Sequence, residues 1–188
     1  MKSGINKGYR AEKIRLLGDP ALREVSQPVT DFEDEGFVRN AKVLHATLDE
    51  FRQKYGFGRA VSAPQIGIRQ RFIALNLGDA PRLIVNPEFV FKSGDEITMW
   101  DDCMSFPNLL VRLRRNASVS LRFQDERGDF QEWNNLDTAT SELLQHEIDH
   151  LDGILAVDRA IDSNSLVMRE VFERNYEFFK KQVDYVIY

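Results

Sequence analysis

The sequence predicts an α+β domain in which short strands lie between helices near the two ends of the chain. Three observations support this fold class. The chain has 188 residues, 43% apolar and 29% charged, which is typical of one globular domain over residues 1–188. Apolar residues recur at helical spacing near both ends of the chain, and short β-type runs lie between them.

The first predicted helix covers residues 32–55. Apolar side chains recur there every three or four residues, and the pattern stops before Gly56. The glycine-rich stretch 56–67 that follows predicts a loop.

Several short runs predict strands in the middle of the chain. Residues 125–128 have the composition of a hairpin turn between two of these strands, and an Asn-Pro pair at 86–87 interrupts another. The alternation of apolar and charged residues in 111–115 fits a strand with one charged face. The predicted strands are 71–77, 82–91, 111–115, 116–124 and 129–133.

Two further helices are predicted in the last third of the chain. Residues 136–151 return to a helical spacing of apolar residues. Residues 166–188 place several apolar side chains roughly on one face and therefore predict a closing helix.

Charge and cysteine content narrow the location and the partners. Lys and Arg number 25 and Asp and Glu 30, so the net charge of −5 is not that of a general nucleic-acid coat. The single cysteine, Cys103, excludes an intrachain disulfide and fits a reducing compartment. Residues 1–10 lack the apolar stretch of a signal peptide, and no apolar run approaches the ~20 residues of a membrane span. We therefore expect a cytoplasmic protein without a membrane or specific nucleic-acid partner.

The strongest chemical signal is the run Gln-His-Glu-Ile-Asp-His at 145–150. On a helix, His146 and His150 lie one turn apart on the same face, where both imidazoles can bind one divalent metal. Glu147 beside them can then act as general base toward a water molecule. The alternative is a solvated helix face that contains this pattern by chance.

A catalytic metal held by two histidines needs a third protein ligand. No histidine follows His150, although Glu170, Glu173 and Glu177 lie on the predicted closing helix. Upstream, the thiolate of Cys103 is a soft ligand that would complete a Cys-His-His site. The alternative is that Cys103 is a small buried hydrophobic residue.

A third segment, 58–67, reads Gly-Arg-Ala-Val-Ser-Ala-Pro-Gln-Ile-Gly. Small residues let a substrate backbone approach closely, and the amide of Gln65 could be directed at a developing oxyanion. A plain connection between a helix and a strand is the alternative.

Together these three segments resemble the peptide deformylases. That family has a loop closing in Ala-x-Gln-x-Gly, then Glu-Gly-Cys-Leu-Ser, then Gln-His-Glu-x-Asp-His-Leu-x-Gly. The order and spacing match here, the third motif is intact over 145–153, and the similarity extends over about 14–155. The resemblance implies short, mainly antiparallel sheets around a central helix that carries His-Glu-x-x-His, with a C-terminal helix.

The resemblance also implies an activity and a site. The enzyme would remove the formyl group from the N-terminal methionine of newly made proteins and release formate. Cys103, His146 and His150 would bind one divalent metal, generally Fe²⁺ in this family, with Zn²⁺, Ni²⁺ or Co²⁺ able to substitute. Glu147 would be the general base. The Gln65 amide and the Met104 backbone N–H would then hold the oxyanion.

Further residues follow by position from the same resemblance, beginning with an Asp101–Arg115 ion pair that would brace the Cys103 loop. Independently of the resemblance, Asp149 is a candidate acceptor of a hydrogen bond from a ligand histidine, the alternative being a solvated helix acid. The expected substrate-binding residues are Gly58, Arg59, Ala60, Val61, Met104, Glu142 and Leu143.

The sequence also departs from the family pattern. Ala60 stands in place of a glycine and Ser62 in place of an alanine, while the middle motif has Asp101 for glutamate and Asp102 for glycine. Arg59 and Glu142 stand where some members have apolar residues. We expect both to be surface residues, the alternative being that they make the substrate pocket polar.

These departures leave three other functions open. The first is a deformylase-like hydrolase acting on another N-formyl or N-acyl substrate, the second a metal-loaded protein that binds N-termini without turnover, and the third a zinc endopeptidase. The expected partner is a formylated nascent chain, and the resemblance allows a weak ribosome contact. Residues 185–188 could pack at a homodimer interface or on the protein's own core, so monomer and homodimer both remain open.

Overall fold

The computed structural model describes residues 8–187, so the predictions for residues 1–7 and Tyr188 lie outside the described part. The helices are α1 (Glu35–Tyr55), α2 (Thr138–Leu151), α3 (Arg169–Arg174) and α4 (Tyr176–Lys180). The strands are β1 (Ala60–Ser62), β2 (Phe72–Leu75), β3 (Arg82–Lys92), β4 (Glu96–Asp102), β5 (Leu109–Asn116), β6 (Val119–Gln124), β7 (Phe130–Trp133) and β8 (Leu166–Met168). This mixture of helices and sheets confirms the α+β class.

The first predicted helix is confirmed as α1, with a start three residues later. Asp34 caps it, because its side chain accepts a hydrogen bond from the backbone N–H of Phe37. The helix ends at Tyr55 and is capped by Gly56, whose φ of 78° lies in the left-handed region that glycine adopts readily. The end of α1 therefore delivers the chain directly into the loop that carries Arg59.

A five-stranded antiparallel sheet forms the centre of the fold, in the order β1-β2-β3-β6-β7. The predicted break at 86–87 is a register shift within one long strand, β3, at which Asn86 has a φ of 50°. The β6–β7 hairpin is confirmed. The predicted loop 56–67 also contains β1 and a 3-10 turn, Ala63–Ile66.

A second antiparallel sheet has the order β4-β5-β8. The predicted strand at 111–115 is confirmed within β5, whereas β4 was not anticipated. The closing helix is shorter than predicted: residues 166–168 pair with β5, and the helical part is divided into α3 and α4 at Asn175. The backbone hydrogen bonds available at the edge of β5 account for the strand at the start of this segment.

The two long helices cover opposite faces of the five-stranded sheet. Phe37 and Leu44 of α1 pack on one face, while Leu144 and Leu151 of α2 pack on the other. Every residue of α2 from 141 to 151 is buried. The helix that carries the predicted metal ligands is thus fixed on all sides by the core.

A third apolar cluster lies at the second sheet and includes Met99, Leu113 and Cys103. Tyr185 and Ile187 pack against this cluster, so the described end of the chain lies on the protein's own core. Within residues 8–187, no helix combines the length and the apolar character needed to cross a membrane.

Candidate metal centre

Three buried side chains from two segments of the chain meet at one point. Cys103 follows directly after β4, and His146 and His150 lie one turn apart on α2. Their ligand atoms all lie within 4.8 Å of one another. The Cys103 Sγ is 3.2 Å from the His150 Nε2. The structure therefore brings together the three residues that the sequence predicts as metal ligands.

Asp101 determines how the first histidine is presented. Its Oδ2 lies 3.0 Å from the Nδ1 of His146, which leaves the Nε2 of that ring for a metal. The same carboxylate accepts a hydrogen bond from Arg115 Nη2 at 2.9 Å, so the expected Asp101–Arg115 ion pair is present. Because β4 and β5 are neighbouring strands, this pair fixes the segment that leads into Cys103.

Asp149 has a different role from the one expected. Its carboxylate accepts hydrogen bonds from Arg115 Nη1 at 2.8 Å and from Arg159 Nε at 2.6 Å, rather than from a histidine. It is buried, so it is not a solvated helix acid either. The structure gives the histidine acceptor role to Asp101, and Asp149 holds Arg115 in place. The Nδ1 of His150 is buried and has no partner among the described residues.

The charges around the cluster suit a cation. Burial acts to raise the pKa of Asp101, but the charges of His146 and Arg115 outweigh it and hold this pKa well below its usual range. Burial acts to lower the pKa of His146, but Asp101 and Cys103 raise it overall. Burial lowers the pKa of His150, which favours the neutral imidazole that binds metals. One thiolate and two imidazoles, with a carboxylate behind one ring, fit a borderline-soft divalent ion.

Glu147 is buried beside the cluster and contacts Ser62. The Oγ of Ser62 lies 2.5 Å from Glu147 Oε2 and 2.9 Å from the backbone oxygen of Glu147. Burial raises the pKa of the Glu147 carboxyl, while the hydrogen bond from Ser62 acts in the opposite direction. A carboxyl whose pKa is raised toward neutrality is suited to accept and return a proton. The departure at Ser62 thus places a hydroxyl on the predicted general base.

Gln65 is held with its amide nitrogen toward the cluster. Its Oε1 accepts a hydrogen bond from the backbone N–H of Ser62 at 2.9 Å. Its Nε2 donates to Ser105 Oγ at 3.3 Å and to Cys103 Sγ at 3.6 Å. The backbone N–H of Met104 has no acceptor among the described residues. Both groups that the sequence predicts as oxyanion donors therefore lie beside the predicted metal ligands.

A cavity of about 500 Å³ adjoins the cluster, with His146 and Glu147 in its wall. Val61 is the one expected substrate residue whose side chain lies elsewhere. Neighbouring residues of a strand face opposite sides, so Ala60 faces the cavity while Val61 packs in the α1 core. The expected residues that do line the cavity are Gly58, Arg59, Ala60, Met104, Glu142 and Leu143.

Arg59 and Glu142 form an ion pair in the wall of this cavity. The side chain of Glu142 is 1% exposed and that of Arg59 is 30% exposed. The prediction that they are surface residues is wrong for Glu142, because the carboxylate turns inward to meet Arg59. Burial raises the pKa of Glu142 to about 7, although Arg59 acts to lower it. The pair does line the cavity, and the alternative, that it makes the substrate pocket polar, stays a prediction.

The outer wall of the cavity was not predicted. It is built by Trp100 and by the C-terminal segment, including Phe172 and Tyr176. Arg169 Nη2 lies 2.7 Å from Asp102 Oδ2, and its guanidinium lies 5.2 Å from the centre of the Phe57 ring. The only feature of the sequence that bears on this wall is the extra acid Asp102. Its partner Arg169 lies 67 residues away, so no local pattern identifies the contact.

Comparisons with known proteins agree with this arrangement. A family model described as polypeptide deformylase matches residues 11–165. A peptide deformylase of Thermotoga neapolitana is 35% identical over 158 residues, which cover 84% of this chain and 92% of that relative. A peptide deformylase-like protein of Brucella melitensis is 37% identical over 169 residues, which cover 87% of this chain and 96% of that relative.

The fold comparison leads to the same family. The crystal structure of the peptide deformylase from Thermotoga maritima has a TM-score of 0.74 and 32% sequence identity, and the match covers 82% of this chain and all of that one. The range 11–165 of the family model includes the helix that carries His146 and His150. The chain therefore belongs to the polypeptide deformylase family, whose members depend on a metal, and it is a hydrolytic enzyme.

Proposed function

We propose that this enzyme removes the formyl group from the N-terminal methionine of newly made proteins. Water and the formamide react to give formate and a peptide with a free amino group. One observation carries the proposal: the Cys103–His146–His150 cluster adjoins a cavity whose wall also contains Glu147. A cytoplasmic location, action as one domain over 1–188 and a nascent chain as partner belong to the same proposal. A weak ribosome contact and the choice between monomer and homodimer stay predictions.

Cys103 Sγ and the two imidazoles would hold one divalent metal, for which we propose Fe²⁺, with Zn²⁺, Ni²⁺ or Co²⁺ as substitutes. When bound, such an ion supplies Lewis-acid catalysis and lowers the pKa of a water molecule. Asp101 supports the binding by accepting from His146 Nδ1, which raises the basicity of the ring toward the ion.

The protein's own groups would move the protons and stabilise charge. Glu147 accepts a proton from the attacking water and returns it to the leaving amine, which becomes the free N-terminus. The Gln65 amide and the Met104 N–H donate hydrogen bonds to the oxyanion as the carbonyl carbon becomes tetrahedral. Removing one such donor typically costs about 2.7–4 kcal/mol of transition-state stabilisation.

The Arg59–Glu142 pair favours a second candidate within the same chemistry. A charged pair in the cavity wall is a poor match for an apolar methionine side chain. The second candidate is therefore a hydrolase that acts on another N-formyl or N-acyl substrate.

The test is formate release from formyl-Met-Ala-Ser by protein purified without oxygen, with the bound metal counted. We expect about one metal per chain and a rate that falls by about 10²–10⁴-fold in Glu147→Ala, the usual contribution of general acid–base catalysis. Glu50→Ala is the matched control, because Glu50 is an exposed helical glutamate on α1. Bound metal without formate release would contradict the proposed reaction.

A further inference from the structure

We propose that the Arg59–Glu142 ion pair selects N-formyl substrates whose first side chain ends in a hydrogen-bond acceptor, such as an amide or carboxylate oxygen. The inference rests on the second candidate above, a hydrolase that acts on another N-formyl substrate, and it names the class of that substrate. The reaction is unchanged, since water still converts the formamide to formate and a free amine without another reactant.

The pair lies close to the predicted metal ligands. Glu142 lies one turn before His146 on α2, so both side chains face the same cavity. Arg59 reaches the helix from the loop between α1 and β1 and pairs with Glu142 Oε1. Its Nη1 also donates to the backbone oxygen of Ala139 at 2.9 Å. The pair therefore joins this loop to α2 in the cavity wall, next to the predicted metal ligands.

Arg59 has hydrogen-bond donors in this wall that its contacts with Glu142 and Ala139 leave unused. The acids that line the cavity already have partners: Asp101 bonds to Arg115, Asp102 to Arg169 and Glu147 to Ser62. Arg59 uses one N–H toward Glu142 and one toward the helix backbone among the described residues, and a guanidinium carries more donors than these two bonds use. An incoming acceptor can therefore bond to Arg59 without displacing Glu142.

Binding an apolar side chain next to Arg59 would cost free energy. It would displace water from Arg59 and leave the N–H groups without a replacement acceptor. A carboxylate or amide oxygen would replace the lost water bond. Because hydrogen bonds to charged groups are the stronger class, we expect a preference of about tenfold or more for the acceptor side chain.

The experiment compares formyl-Gln-Ala-Ser with formyl-norleucine-Ala-Ser, using the metal-loaded full-length protein. We expect the wild type to hydrolyse the Gln peptide with a kcat/KM at least about tenfold higher. The double variant Arg59→Met/Glu142→Leu should reverse this order. It is expected to fold, because replacing a buried ion pair by apolar residues of similar size is often neutral or stabilising.

The matched control is Arg69→Met/Glu24→Leu. This pair has the same residue types in contact but is exposed and lies outside the cavity, so its substrate ratio should equal that of the wild type. An unchanged ratio in Arg59→Met/Glu142→Leu would overturn the inference. A wild type that prefers norleucine as strongly as that double variant would also overturn it.

A binding measurement separates this inference from the proposed reaction. The Kd of each peptide is measured by calorimetry with metal-loaded Glu147→Gln, in which the proposed proton transfer is blocked. Tighter binding of the Gln peptide supports the role of the pair, even where the wild type releases no formate and the proposed reaction itself fails. Equal or tighter binding of the norleucine peptide overturns the role of the pair, whatever the rate of formate release.

Discussion

Two sides of the site hold their charged residues in different ways. On the inner side, Arg115 lies between Asp101 and Asp149, and the three side chains are at most 10% exposed. On the outer side, the Arg169 and Asp102 side chains are 27% and 29% exposed. A buried charge that loses its partner is strongly destabilising, whereas a partly exposed pair can exchange its partner for water at little cost. The inner side therefore fixes the positions of the ligands, and the outer side can change without loss of the fold.

The largest effect is expected for Arg115→Ala. This change leaves Asp101 and Asp149 as buried carboxylates without their shared partner, so the free energy of unfolding should fall by about 3–5 kcal/mol. Denaturant unfolding measures this loss, and a count of bound metal measures its effect on the centre. Arg122→Ala is the control, because Arg122 pairs with Glu132 on the surface. Unchanged stability, metal content and activity would show that the inner side does not brace the Cys103 segment.

Asp101→Asn tests the link between the inner side and the metal. Removing the carboxylate that orients His146 should weaken metal affinity by about 10–100-fold, measured by titration against a chelator. The pKa of Asp101 is lowered in the folded protein, so its ionisation stabilises the fold at pH values above its unfolded pKa of about 3.9. That stabilisation is lost as the pH falls below the unfolded pKa toward the folded pKa. In the Asp101→Asn variant, the free energy of unfolding should therefore lack this decrease with falling pH. Asp95→Asn, at an exposed position before β4, should match the wild type in both measurements.

Ser62→Ala should have a moderate effect with a distinctive pH dependence. The lost hydrogen bond to Glu147 costs about 1 kcal/mol of stability. Since this bond acts to lower the pKa of Glu147, the pKa should rise in the variant. The proposed reaction needs the carboxylate, so the acid limb of the kcat/KM profile should move to higher pH. An unmoved acid limb would mean that Ser62 does not influence the general base.

The smallest effect on stability is expected for Arg169→Ala, on the outer side. The free energy of unfolding should change by less than about 1 kcal/mol, and the metal content should stay the same. Because Arg169 lies over Phe57 in the cavity wall, KM for formyl-Met-Ala-Ser should rise more than kcat falls. Steady-state kinetics measures this split. A large loss of bound metal would show that the two sides are coupled after all.

The same contrast explains which features could be predicted from the sequence. His146, Glu147 and His150 are neighbours on one helix, so their relative positions follow from helical geometry alone. Cys103 could be added through the resemblance of its motif to a family. The network behind them depends on contacts between distant segments, such as Arg115 with Asp149, and spacing does not encode these.

The unpredicted features are likewise non-local. Glu142 is buried because Arg59, 83 residues earlier, meets it inside the cavity. The closing helix begins later than predicted because residues 166–168 form backbone hydrogen bonds with β5. The strand β4 carries acids at both ends, and its pairing with β5 outweighs their low preference for strands.

The end of the chain also protects the protein from association through its strands. In the order β4-β5-β8, β4 is an edge strand, and the backbone of the terminal segment bonds along it at Thr98 and Met99. Exposed edge strands are templates for pairing with other molecules. Removing residues 183–188 would uncover this edge together with the apolar surface under Tyr185. A protein shortened in this way should aggregate at concentrations at which the full chain remains dispersed.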